Sequence, residues 1–170
     1  MKWIDYEALK KMINDQRMTG PETIHGLDHW EQVEHNGLLL AKKTGADPTI
    51  IKLFALFHDS RRIDDGYDPE HGPRAALFLD SCRGQYFELE EKKYNLLKHA
   101  CHYHTKEHAS DNISINTCYD ADRLDLARAG YRSDPKKMAT DLGAKLAEAS
   151  KEVPLSEIRA WLKSKAKDIL

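Results

Sequence analysis

Between Asp47-Pro48 and His58-Asp59 lies TIIKLFALF, nine residues that are apolar almost all the way round a helix. Asp47 is a good N-cap and Pro48 fits the first helical position. Ile50, Ile51, Leu53, Phe54, Ala55, Leu56 and Phe57 leave no wet face, so this helix must be central and buried, with other helices around it. It runs directly into His58-Asp59. A histidine and an acid entering a core after five apolar residues need partners there.

The rest of the chain reads as helices with clear punctuation. Tyr6 to Asp15 forms the first, before the break at Gly20-Pro21. Asp28 to Thr44 forms the second, ending in Lys42, Lys43 and Gly45. After a polar loop over 61–67, Asp68-Pro69 starts a fourth helix to Cys82. A fifth spans Leu89 to His104, and a sixth Ser114 to Ala129. Asp134-Pro135 and Pro154 start one or two C-terminal helices, the last from Ser156 to Ile169 with Ile158, Trp161, Leu162 and Ala166 as its stripe. Strand signals are scarce. The expectation is an all-α, compact helical bundle of six to eight helices. A chain of 170 residues suits one domain; its core lies at about 20–130, with residues 131–170 a helical appendage.

Lys plus Arg number 26 against 28 Asp plus Glu, a net charge of −2. Nucleic-acid binding by bulk positive charge is therefore not expected. Cys82, Cys101 and Cys118 form no CxxC pair and read as reduced, buried thiols. No apolar run reaches the roughly 18 residues of a membrane span, and the N-terminus lacks a signal peptide's apolar stretch. The expected location is the cytoplasm, with no membrane partner; a homodimer is left open.

The nine histidines all lie before residue 109. His29 shares a helix face with Val33, Gly37 and Leu40, at the end of an apolar stripe. CYDADRLDL at 118–126 adds three acids. Asp120 shares a face with Leu124 and Ala127, Asp122 one with Tyr119 and Leu126, and periodicity does not choose between them. Two imidazoles and two carboxylates from three helices make a mixed N/O set suited to Mn, Fe, Ni, Co or Zn rather than Ca.

The order His29, His58-Asp59 and the acids of CYDADRLDL, with HGLDHW, LFALFHDSRR and DPEHGPRAA, resembles the HD-domain superfamily of metal-dependent phosphohydrolases over residues 20–130. The resemblance implies a buried divalent metal (Mn, Ni, Co, Fe, Mg or Zn) held by His29, His58, Asp59 and Asp120, with Asp120 chosen because the family's last ligand opens the DADR-type run. It implies hydrolysis of a small phosphorylated substrate, nucleotides included. Asp59 then acts as ligand and proton acceptor. Two-metal branches add histidines, and His71 and His104 occupy the corresponding stretches; on the fifth helix His104 should face inward and His102 outward. Where many single-metal members carry a glutamate, this chain has Arg62, and Arg61 and Arg62 become the candidates for binding phosphate; Arg74 and Arg123 are further ones. A diiron oxygenase, a non-catalytic nucleotide-sensing module and a purely structural metal are the competing readings.

Overall fold

A computed structural model describes residues 2–170. Eight α-helices dominate it: α1 (Tyr6–Asp15), α2 (Leu27–Thr44), α3 (Pro48–Phe57), α4 (His71–Cys82), α5 (Glu91–Tyr103), α6 (Ile113–Arg123), α7 (Asp141–Ala149) and α8 (Ile158–Ser164). The fold is the all-α bundle the pattern predicts. Its one sheet among the described residues is a two-residue antiparallel pairing of β1 (Trp3–Ile4) with β2 (Phe87–Glu88).

The helices start where their caps dictate. Asp5 accepts from the Ala8 amide, Asp47 from Thr49, and Asn112 from Ser114 and Ile115. Helix α3 is the axis of the bundle, packed by α1, α2, α4, α5 and α6. Seven of its ten residues are buried. At about 1.5–3 kcal/mol for each large side chain removed from water, this helix is the most strongly fixed element, and so is the His58-Asp59 pair at its end. Glycine tightens the bundle beside that pair. A Cβ on Gly72 would come 2.6 Å from the His102 carbonyl oxygen, so only glycine lets α4 approach the end of α5 this closely.

Residues 131–170 build a second apolar cluster. Met138, Leu146, Ala147, Ile158, Leu162 and Ala166 bury themselves with Leu39 and Leu40 of α2 and Leu124. Three expected boundaries shift. Helix α4 starts at His71 because Asp68 is used otherwise, accepting from the Ile63 amide and pairing with Arg74. The sixth helix stops at Arg123 and resumes as a 3-10 turn over Leu126–Ala129. The last helix is only Ile158–Ser164, flanked by 3-10 turns.

Candidate metal centre

Five helix ends meet at one point. His29 comes from the first turn of α2, His58 and Asp59 from the end of α3, His71 from the start of α4, His104 from the end of α5 and Asp122 from the last turn of α6. All are buried except Asp122, whose side chain keeps 20% of its surface. His25, on the loop before α2, joins them.

The ring orientations follow from the Nδ1 side. His29 Nδ1 lies 2.8 Å from Asp125 Oδ2, His58 Nδ1 3.0 Å from the Phe54 carbonyl, and His104 Nδ1 2.8 Å from the Cys101 carbonyl. His71 Nδ1 faces the Asp68 carbonyl. These oxygens only accept, so each Nδ1 carries its hydrogen and each neutral ring turns an Nε2 lone pair inward. The lone pairs meet two by two: His29 and His58 Nε2 are 3.0 Å apart, His71 and His104 Nε2 2.9 Å. Two lone pairs in such contact repel unless a proton or a cation lies between them.

Asp59 joins the pairs. Its Oδ2 is 3.3 Å from His29 Nε2 and 3.6 Å from His58 Nε2. Its Oδ1 is 3.1 Å from His71 Nε2 and 3.6 Å from His104 Nε2. Asp122 Oδ1 completes the first pair at 3.3 Å from His29 and 3.6 Å from His58. Metal–nitrogen bonds of about 2.1 Å place neighbouring donors about 3.0 Å apart at right angles and about 3.4 Å apart at tetrahedral angles. The observed spacings suit either geometry. The donors therefore fit two cations, one held by His29, His58, Asp122 and Asp59, the other by His71, His104 and Asp59.

The electrostatics point the same way. Burial resists the charge on Asp59, but His58, His104, His25 and His29 hold its carboxyl well below the usual range. Burial is likewise outweighed at Asp122 by His29 and His58. Burial opposes the His29 imidazolium too, yet bonds to Asp122, Asp125 and Asp59 lift it to about 10. Without a metal, the carboxylates hold a proton at His29.

Asp120 is not part of this centre. It sits two residues before Asp122, about 200° away round the helix, and faces α7. Its Oδ1 accepts from the Ala139 amide at 2.7 Å, and its Oδ2 from the Thr140 amide at 2.9 Å and hydroxyl at 2.7 Å. The acid beside the histidines is Asp122. Arg61 is absent as well. It donates to the Gln16 carbonyl and side chain and lies over the Phe78 ring. Arg62 clamps its own loop, donating to the Asp64 and Gly66 carbonyls with Nη1 3.2 Å from His71 Nδ1. Arg74 is taken by Asp68 and the Arg61 carbonyl, and Arg123 by the carbonyls of Glu107, His108 and Lys137.

Four contributors were not anticipated. His25 Nδ1 donates to Asp59 Oδ2 at 2.7 Å; its four-residue spacing from His29 was the available signal. Asp125 orients His29 and is itself held by Arg159 of α8, whose Nε and Nη2 reach its oxygens at 2.7 and 3.0 Å. Arg128 lies beside Asp59 and Asp122. Nothing local marks the two arginines.

A cavity of about 250 Å³ opens beside His71, lined by Arg62, Tyr67, Thr105 and Lys106 among others. A larger cleft of about 540 Å³, bordered by Tyr6, Lys10, Glu34 and Lys52, touches none of the cluster; proximity to the donors makes the smaller space the relevant one. No helix among the described residues is long and apolar enough to cross a membrane. No protein-family model, curated protein or solved structure matches this chain.

Proposed function

We propose that this chain is a divalent-metal-dependent phosphohydrolase of the HD-domain type, acting on a small phosphorylated substrate, with nucleotides the first class to test. The carrying observation is the pair of converging Nε2 contacts on the two oxygens of Asp59. His29, His58, Asp122 and Asp59 would hold one cation, and His71, His104 and Asp59 a second. Bound there, divalent cations supply Lewis acidity toward a phosphoryl oxygen and lower the pKa of coordinated water toward about 7.

The chain's own groups divide the remaining work. Asp125 and the Phe54, Cys101 and Asp68 carbonyls fix the imidazole tautomers. Asp59, held so far below the usual carboxylate range, is a poor base. His25 instead orients that carboxylate, donating to Asp59 Oδ2 from Nδ1 at 2.7 Å while its Nε2 lies 3.9 Å from the surface carboxylate of Asp65. Arg62 and Lys106 line the adjoining cavity together with Asp68, and Lys106, 3.3 Å from Glu70 at the surface, is the cation there that a phosphorylated group could recruit.

The test is elemental analysis of the purified chain, then a phosphomonoesterase and phosphodiesterase panel with the metals found. Metal-dependent turnover of a phosphate ester is expected. A chain that takes up no transition ion, or a loaded one inert across the panel, refutes the reading. The His71–His104 pair favours one second reading, a diiron oxygenase; two irons per chain with oxygen consumption and no ester hydrolysis would establish it.

A further inference from the structure

We propose that Arg128 is an oxyanion-binding residue of the metal centre, placed to hold a phosphoryl group against the cations; this deepens the phosphohydrolase reading and rests on it. Arg128 lies on the 3-10 turn Leu126–Ala129, just beyond α6. Its guanidinium is fixed from two sides. Nε donates to the Ile24 carbonyl at 3.0 Å and Nη1 to the Asp125 carbonyl at 2.9 Å. The plane is set before any ligand arrives, as binding of a charged group requires.

The third nitrogen is the informative one. Nη2 is 3.9 Å from Asp122 Oδ1 and 4.0 Å from Asp59 Oδ2. Its nearest polar neighbour is His25 Nδ1 at 3.3 Å, which already gives its hydrogen to Asp59 and cannot accept another. The Nη2 hydrogens therefore have no acceptor among the described residues, although only 8% of the side chain is exposed. A buried charged donor left in this state is costly. Were Arg128 a plain counter-ion, Nη2 would close to about 2.8 Å on one carboxylate. It stands off from both, at the edge of the donor cluster. Arg61, Arg74 and Arg123, by contrast, are engaged with backbone or side-chain oxygens, and Arg62, whose Nη1 meets His71 Nδ1 at 3.2 Å, is tied through Nε and Nη2 to its own loop and pairs with neither Asp59 nor Asp122.

Charge balance gives Nη2 a use once cations are bound. Asp59 and Asp122 neutralise one divalent cation. A second, together with the guanidinium, leaves three positive charges around one point. A phosphoryl dianion between Arg128 and the cations answers most of that excess and supplies the acceptor that Nη2 lacks.

The test uses the full chain loaded with Mn²⁺ and titrated calorimetrically with inorganic phosphate. Arg128→Gln should keep its Mn²⁺ stoichiometry and lose about 10–100-fold in phosphate affinity, the range for a hydrogen bond to a charged group. Arg128→Lys keeps the charge without the anchored fork and should lose about tenfold. Arg61→Gln should bind phosphate like the wild type. A loaded Arg128→Gln chain that binds phosphate at wild-type strength overturns the proposal, as does one that loses its Mn²⁺, which would make Arg128 a support for the ligands. Should the glutamine variant not fold, unchanged phosphate affinity in Arg128→Lys overturns it equally. A loaded wild type that ignores phosphate refutes the role of Arg128 alone, whereas a wild type that takes no metal refutes the metal reading before phosphate is added.

Discussion

Exchanging the roles of Asp120 and Asp122 gives a double dissociation. Asp120 is fully buried and receives three hydrogen bonds from residues 139 and 140. In Asp120→Asn one oxygen remains. If it keeps both Thr140 bonds, the new amide nitrogen faces the Ala139 amide, donor against donor. One bond to a charged acceptor is lost, about 1.5–3 kcal/mol. Burial also raises the Asp120 carboxyl, against the bonds from Ala139 and Thr140, so removing the charge recovers part of that. A net loss of about 1–2 kcal/mol follows, and at about 2–4 °C per kcal/mol for a chain of this size the melting temperature should fall by about 2–8 °C. Metal content should not change. Asp122→Asn removes a partly exposed carboxylate from the His29–His58 pair and should cost about 10–100-fold or more in metal affinity, with a smaller shift in the metal-free melt. Calorimetry and elemental analysis on both variants read the two axes separately. If Asp120→Asn empties the metal and melts like the wild type, the placement of both acids is wrong.

The remaining predictions concern protons, the second cation and the outer contacts of the site. His29 has its folded pKa raised to about 10 from 6.5, so its proton stabilises the metal-free fold fully below pH 6.5 and that contribution is lost as pH rises toward 10. Metal binding displaces the same proton, so apparent metal affinity should rise by up to about tenfold per pH unit across that window, measured by competition with a chelator; a flat profile would show that His29 is not a ligand. His104→Ala should lower the metal stoichiometry by one while leaving the ion at His29 and His58 in place, read by elemental analysis. Asp125→Asn should weaken metal binding by about 10–100-fold through His29, whose tautomer it fixes, and Arg159→Gln should do so to a lesser degree. Gly143→Ala, whose Cβ would fall 2.2 Å from Asp120 Oδ2, should destabilise by about 1–3 kcal/mol in thermal melts without altering metal content.

What the sequence revealed follows from how local each signal is. Helix α1 and the end of α2 carry caps within a few residues of the boundary, and α3 carries an unbroken apolar run, so the bundle and its axis were legible. The β1–β2 pairing joins residues more than 80 apart and has no local pattern. Helix α6 reads as continuous to Ala129 because Leu124 and Ala127 keep helical spacing. It stops at Arg123, and Asp125 turns inward to His29. The last helix keeps its Ile158, Leu162, Ala166 stripe in the second core but not its length. His58 and Asp59 were singled out because burial demanded partners for them. Asp120 and Asp122 could not be separated by periodicity, since apolar neighbours flank both. Which of them meets the histidines depends on where α7 lies, and the HD-domain resemblance picked the one bonded to the backbone just before α7. The arginines failed for a related reason: Arg61 and Arg62 sit nearest the motif in the chain, whereas Arg128 and Arg159 reach the site from turns and helices distant in sequence.

Asp120, Asp122 and Asp125 lie within six residues yet face three directions, and this explains why the C-terminal segment matters to the site. Asp120 is bonded by the backbone leading into α7, Asp122 faces the first histidine pair, and Asp125 joins His29 to Arg159 of α8. Met138, Ile158 and Leu162 pack the same segment against α2, the helix that carries His29. A small displacement of α8 would therefore reach His29 twice, through the apolar contact with α2 and through the Arg159–Asp125 ion pair. Residues 131–170 are in this sense the outer wall of the metal centre: they supply no donor, but they set the orientation of one imidazole and the position of one acid.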